Sequence, residues 1–338
     1  MTTTELRPLS LGELLDRAFS YYRKHFWLFV GIMALPQAVL ACSRLILVPF
    51  QMTGMTDTAS QAQDPGKVAA QVSTFLTGFL ISFSVLMIIS VLVYSVALGA
   101  TTSALSDVYM GRTTSISAAF RSLRGKILRL FDVVVSIVLR VMGIYFLFAF
   151  SIIVVIAVPA AFLGFRGGRS PLLIIIFGFI VILAVLAGIF FAILLILRYA
   201  LAVPALIIEN LKARDAIKRS VTLAKGNLWK IFLTAVLMYI INIVVASIFQ
   251  GPFWLAMIFM SVKSQAFPLW LEVPMYLSAG VGGALSGPLF VIALALLYYD
   301  ARVRKEGFDL QLMMAGLHEG EAPASIPRAT ISPDPAGK

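Results

Sequence analysis

Six apolar runs long enough to cross a bilayer lie along the chain, near 26–48, 74–99, 133–163, 172–197, 231–260 and 273–299. A helix rises ~1.5 Å per residue, so about 20 apolar residues cover a ~30 Å hydrocarbon core. The third, fifth and sixth runs are longer, which predicts tilted or kinked helices. Pro36, Pro159, Pro252, Pro274 and Pro288 are the places to kink or stop them. Between the first two runs, Pro65 and Gly66 read as a turn within a 49–73 loop. The pattern predicts an all-α polytopic membrane protein with six transmembrane helices.

Before each odd-numbered run the pattern changes to amphipathic. Leu11, Leu14, Leu15, Ala18, Phe19 and Tyr22 fall at i, i+3, i+4, i+7, i+8 and i+11, one helix face. Ser10 and Glu13 form a Ser-x-x-Glu box that would start this helix. Ile116, Ala119, Phe120 and Leu123 repeat the spacing, as do Ile217, Val221, Ala224 and Leu228. The three segments align without gaps at an interval of 101 residues. Ala18, Ala119 and Ser220 share a column; so do Arg23, Arg124 and Lys225; and Trp27 matches Trp229. Gly125 and Gly226 suit a turn into the next span. This predicts three units, each an interfacial helix followed by a transmembrane hairpin, over about 9–110, 111–208 and 209–314. Together they make one membrane domain, 1–314. A Pro-, Ala- and Ser-rich stretch, 315–338, reads as a disordered tail. Convergence on a shared way of entering a membrane would also produce such segments. The apolar faces would lie toward the acyl chains and the basic residues toward anionic headgroups.

Composition agrees with the pattern. Of the 338 residues, 60% are hydrophobic and 13% charged, against ~45–50% and ~25% in soluble domains. The net charge of +11 would elsewhere suggest a nucleic-acid partner. Here it separates by side. Of 27 Lys and Arg, 21 lie at the N-terminus, in the 100–130 and 198–230 loops, or in the tail; only Lys67, Arg166, Arg169 and Lys263 lie in the alternate loops. The positive-inside rule then puts both termini in the cytoplasm. No nucleic-acid partner is needed. Cys42 is the only cysteine, so no intrachain disulfide forms. Val39 to Cys42 faintly resembles a lipoprotein cleavage box. The region before it carries Glu5, Glu13 and Asp16 and the apolar run continues past it, which favours an uncleaved span.

Candidate chemistry is sparse. His25 and His318 are the only histidines, and neither lies at membrane depth. Ser286 sits within GALSG with no histidine to act as base, and the small residues around it read as a helix-packing face. No span carries paired carboxylates, there is no His/Cys cluster, and there is no GxxxxGK[ST] loop, so neither a metal nor another cofactor is expected. Polar residues in lipid are the remaining pointers. They are Gln37, Asp132, Arg140 and Asn242, which form either interhelical contacts or a polar path; Arg44 and Arg140 are close enough to a membrane face to snorkel. Arg23, Lys24, Arg121, Arg124, Lys126, Lys218, Arg219 and Lys225 are the candidates for contact with anionic lipid or a protein partner. Glu209, with Arg214, Lys218 or Arg219 in reach, and Asp300, Arg302, Arg304 and Glu306 are candidates for structural ion pairs.

Three stretches carry a family resemblance: LSLGELLDRAF at 9–19, PALIIEN at 204–210 with AIKRSVTLAKGNLW at 216–229, and YYDARVRKEGFDL at 298–310. Together they resemble the membrane domain of glycerophosphoryl diester phosphodiesterase, over about 8–315. The resemblance implies a multipass bacterial inner-membrane protein. In that family the membrane region can be fused to a catalytic barrel with His, Glu and Asp clusters and a divalent metal. No segment here matches that barrel, so phosphodiester hydrolysis is not implied. The leading expectation is a non-enzymatic scaffold or accessory protein. A small transporter or channel for a polar or lipid-derived solute comes second, and an intramembrane enzyme last. The pattern sets no oligomeric state.

Overall fold

A computed structural model of the chain describes residues 9–52, 65–166, 171–262 and 269–306, and these are helical almost throughout, with no strand among them. Expectations for the 315–338 tail, and for Lys263, Arg169 and the residues after Glu306, lie outside the described residues.

The helices are α1 (Leu11–Lys24), α2 (Phe26–Met52), α3 (Pro65–Tyr109), α4 (Ile116–Arg121) and α5 (Ile127–Arg166), then α6 (Pro171–Tyr199), α7 (Ala202–Glu209), α8 (Ala213–Ala224), α9 (Leu228–Val262) and α10 (Leu269–Glu306). Six of them, α2, α3, α5, α6, α9 and α10, are long and apolar enough to cross a membrane. They pack as hairpins: α2 on α3, α5 on α6, α9 on α10. α10 is the hub, touching α1, α2, α3, α7, α8 and α9. Its C-terminal half is core, with Leu296, Leu297, Tyr298 and Tyr299 almost wholly enclosed. The α5–α6 hairpin stands at the edge and shows Phe179, Leu186 and Phe190 outward, as acyl chains allow.

Local chemistry sets the boundaries. Ser10 accepts from the Glu13 N–H at 3.2 Å, and the Ser10 N–H donates to Glu13 Oε2 at 2.8 Å, closing the capping box of α1. Ser115 caps α4 through its side chain alone, accepting from the Ala118 N–H. Gly125 and Gly226 turn the chain into α5 and α9 with φ of +81° and +87°, values that tax any side chain. The break between α6 and α7 belongs to Pro204, which cannot donate to the carbonyl of Ala200. Pro65 and Gly66 are not a turn. They open α3, where proline's missing N–H costs nothing.

Two further expectations change. The spans run past their apolar limits at one end, α3 to Tyr109 and α10 to Glu306, because polar side chains there find partners inside the bundle. Much of the apolar face of each amphipathic helix is also covered by protein, although Phe19 and Val221 remain exposed. Leu14 and Ala18 of α1, Ala119 of α4, and Ala216, Ile217 and Leu223 of α8 are buried against protein. Burial follows the same columns in all three segments. Ala18, Ala119 and Ser220 have no exposed surface, nor do Phe29, Leu130 and Ile231, while Trp27, Leu128 and Trp229 stand 81%, 82% and 70% exposed.

Candidate functional site

The starts of α2, α5 and α9 and the ends of α3, α7 and α10 share one end of the bundle, with α1, α4 and α8. This is the basic end. Two acids organise it. Asp300 is 2% exposed and accepts the Leu9 N–H at 2.7 Å on one oxygen. Its other oxygen takes Lys230 at 2.6 Å and Arg304 at 3.0 Å. Lys230 and Arg304 also donate to the Leu9 carbonyl, each at 2.6 Å. The segment leading into α1 is thus bound through its backbone to α9 and α10. Ten residues upstream of Arg219, Glu209 accepts its guanidinium through Nε at 3.1 Å and Nη2 at 2.9 Å, and also accepts the Tyr298 hydroxyl. Arg219 reaches on to Glu306 at 2.7 Å, and Arg302 lies 3.4 Å from Glu209. Hydrogen bonding to Glu306 first, then to Glu209, raises the Arg219 guanidinium above its already high ordinary pKa, against partial desolvation. Arg219 is therefore engaged by two carboxylates of the bundle, with its side chain 26% exposed. Lys305 donates to the carbonyls of Thr222 and Lys225 and so closes the end of α8.

The other grouped cations stay outward. Arg23, Lys24, Arg121, Arg124, Lys218 and Lys225 are exposed, and Lys126 is half-exposed.

Toward the opposite end the bundle opens. A cavity of about 630 Å³ lies between α2 and α3 on one side and α9 on the other, floored by the Ala279–Gly287 face of α10. α2 and α9 each pack on α10 rather than on one another. The small residues have two uses here. Gly283 leaves room for the Gln37 amide, whose nitrogen would stand 2.7 Å from any Cβ there, and Gly287 seats Met33 at 3.2 Å. The same residues make the floor.

Gln37 and Asn242 meet in this groove, joined by Arg44, Gln250, Tyr276 and Ser286. Asn242 donates to Ser286 Oγ at 2.7 Å, and Ser286 donates to the Gly282 carbonyl at 2.9 Å. That hydroxyl is spent on helix contacts, with no base beside it. Gln37, Gln250 and Arg44 make no hydrogen bond or ion pair among the described residues. Among the described residues the lining holds one cation and no carboxylate. Asp132 and Arg140 do not join it. Both are exposed on α5, which contributes nothing to the groove. Arg140 instead folds back toward the basic end, donating to the Ser136 carbonyl at 3.0 Å and lying 5.6 Å over the Tyr199 ring.

Gln250, Tyr276 and Lys230 escaped the sequence reading. An amide inside an apolar run is a usable signal, and Gln250 offers it. Lys230 looked like one more loop cation, because its partner is a carboxylate 70 residues away. Among the described residues no three His, Cys, Asp or Glu side chains come together as metal ligands.

Neither a curated protein nor a solved structure matches the chain. A family model does: that of the membrane domain of glycerophosphoryl diester phosphodiesterase matches residues 173–324, which hold Glu209, Arg219, Asp300 and the groove floor, and the match is to the membrane domain alone.

Proposed function

We propose that this integral membrane protein works without catalysis, as a scaffold or accessory of the bacterial inner membrane. Its basic end, with both termini, faces the cytoplasm and rests on anionic lipid or on a protein partner. One observation supports the reading. Six exposed cations on α1, α4, α8 and their turns share that end, and the buried apolar sides of those helices fix them in place. Each cation near an anionic surface contributes about 1 kcal/mol of attraction. The shared burial columns at a 101-residue interval support reading the helices as three copies of one unit, repeating the same charged edge.

Reversing Arg121, Arg124 and Lys126 to Glu tests this. The purified variant should retain clearly less anionic phospholipid than the parent, read by mass spectrometry of co-purified lipid. Unchanged retention removes the lipid-contact reading. Hydrolysis of a glycerophosphodiester by the purified protein would remove the non-enzymatic one. The groove favours a second reading, binding or transport of a polar or lipid-derived solute, because two amides unpaired among the described residues and a cation line one cavity.

A further inference from the structure

The groove holds polar groups that find no hydrogen-bond partner among the described residues. In hydrocarbon an unpartnered amide is costly, so such groups either meet water or meet a ligand. The volume of about 630 Å³ falls within the ~300–1,000 Å³ of small-molecule sites. Among the described lining residues the one charge is that of Arg44.

Shape narrows the ligand further. At the basic end the groove stops where Met33 closes on Gly287, above the packed core of Ile292, Ala293 and Leu296. Met33 to Arg44 spans 11 residues of α2, about 16 Å at ~1.5 Å per residue, so the opening lies toward the opposite face. The side is open as well, for Tyr94 on α3 and Tyr239 on α9 are 42% and 65% exposed. A second depression of about 470 Å³ continues from there over α9. It shares Tyr239, Asn242 and Gln250 with the first and adds Ile243, Trp254 and Leu255 on the outward surface. A polar pocket whose described lining carries one cation thus adjoins a shallow, largely apolar depression on the outward surface of α9. A free polar solute uses only the first part. An amphipath uses both.

We infer that the groove holds the headgroup of an anionic phospholipid drawn from the leaflet opposite the basic end, with its acyl chains leaving between α3 and α9. Arg44 meets the phosphate, the amides of Gln37 and Gln250 hydrogen-bond the polar remainder, and Trp254 and Leu255 border the chains. The inference rests on the second reading above and is independent of the scaffold reading.

The test uses the full chain carrying Arg121→Glu, Arg124→Glu and Lys126→Glu, so that lipid held at the basic end does not count. The protein is equilibrated with vesicles of phosphatidylglycerol in phosphatidylcholine, and bound lipid is counted by native mass spectrometry. Phosphatidylglycerol should be retained over phosphatidylcholine. Arg44→Gln should cut that preference about tenfold, one charge-assisted hydrogen bond being lost. Gln37→Leu should weaken retention of the lipid, and Arg140→Gln, an intramembrane arginine outside the groove, should change nothing. Equal loss in Arg140→Gln and Arg44→Gln, or no preference between the two lipids, overturns the inference. Binding of soluble glycerol 3-phosphate with no lipid retained overturns it while leaving a solute site standing. No ligand retained in any arm sinks both.

Discussion

The two ends of α10 treat polar groups in opposite ways. At the basic end every oxygen of Asp300 and Glu209 has a donor, several of them charged, with Asp300 buried and Glu209 partly buried. Toward the other end Gln37, Gln250 and Arg44 line the groove, half-buried or exposed, with no hydrogen bond among the described residues. Burial with full pairing makes a staple, because losing any partner strands a charge. Accessible polar groups left unpaired in a groove make a site, because an incoming ligand supplies the partners. The same helix thus holds the bundle together at one end and keeps a vacancy at the other, and stability and binding should respond to different substitutions.

The largest effect on stability should come from Asp300. Replacing it by Ala strands the mostly buried Lys230 ammonium and leaves the Leu9 N–H without its acceptor. Breaking a buried pair from one side costs about 3–5 kcal/mol, so the apparent melting temperature in detergent should fall steeply. Asp300→Asn separates the parts. It keeps an acceptor for Leu9 and removes the charge that faces Lys230 and Arg304. A melting temperature close to the parent for Asn, with a collapse for Ala, assigns the staple to the backbone bond. Near-parental stability for Ala would end the comparison.

How much of this was readable beforehand follows the range of each interaction. The six spans, the capping box of Ser10 and Glu13 and the three amphipathic segments are local, set by periodicity and by neighbours three or four residues apart. They could be found from residue order. Asp300 could be named as a charged position but its partner could not, since a backbone group 291 residues away leaves no mark in side-chain pattern. The apolar faces of α1 and α8 were legible as faces. Their covering was not, because the pattern of a helix buried against protein is the same as that of one floating in a headgroup layer. The groove failed for a related reason. Gln37 and Asn242 are 205 positions apart and read as two isolated amides, while Asp132 and Arg140 looked coupled only by sharing a helix.

Glu209 should matter less than Asp300. Its carboxylate is more accessible, at 17%, and Glu306 still holds Arg219 when it is lost. Glu209→Gln keeps an acceptor for the Tyr298 hydroxyl and loses the bidentate pair, a change of about 1.5–3 kcal/mol for hydrogen bonds to charged groups. In the Glu209→Gln, Arg219→Gln double variant the second substitution should add less than it does alone, since both act on one pair. Strict additivity of the two melting shifts would show that the pair does not couple α7 to α8.

The smallest stability change belongs to the groove. Asn242 donates one hydrogen bond to Ser286 across α9 and α10, and interhelical bonds of this kind within membranes average about 0.6 kcal/mol. Asn242→Ala should therefore melt within a degree or two of the parent. The Ser286 hydroxyl keeps its bond to Gly282, so nothing buried is left unpaired. The same substitution removes a polar wall from the groove and should lower lipid retention out of proportion to its thermal effect. That divergence is what two functionally distinct ends require. A fall in melting temperature matching that of Asp300→Ala would mean that the groove too is a staple, and that its unpaired amides are tolerated rather than used.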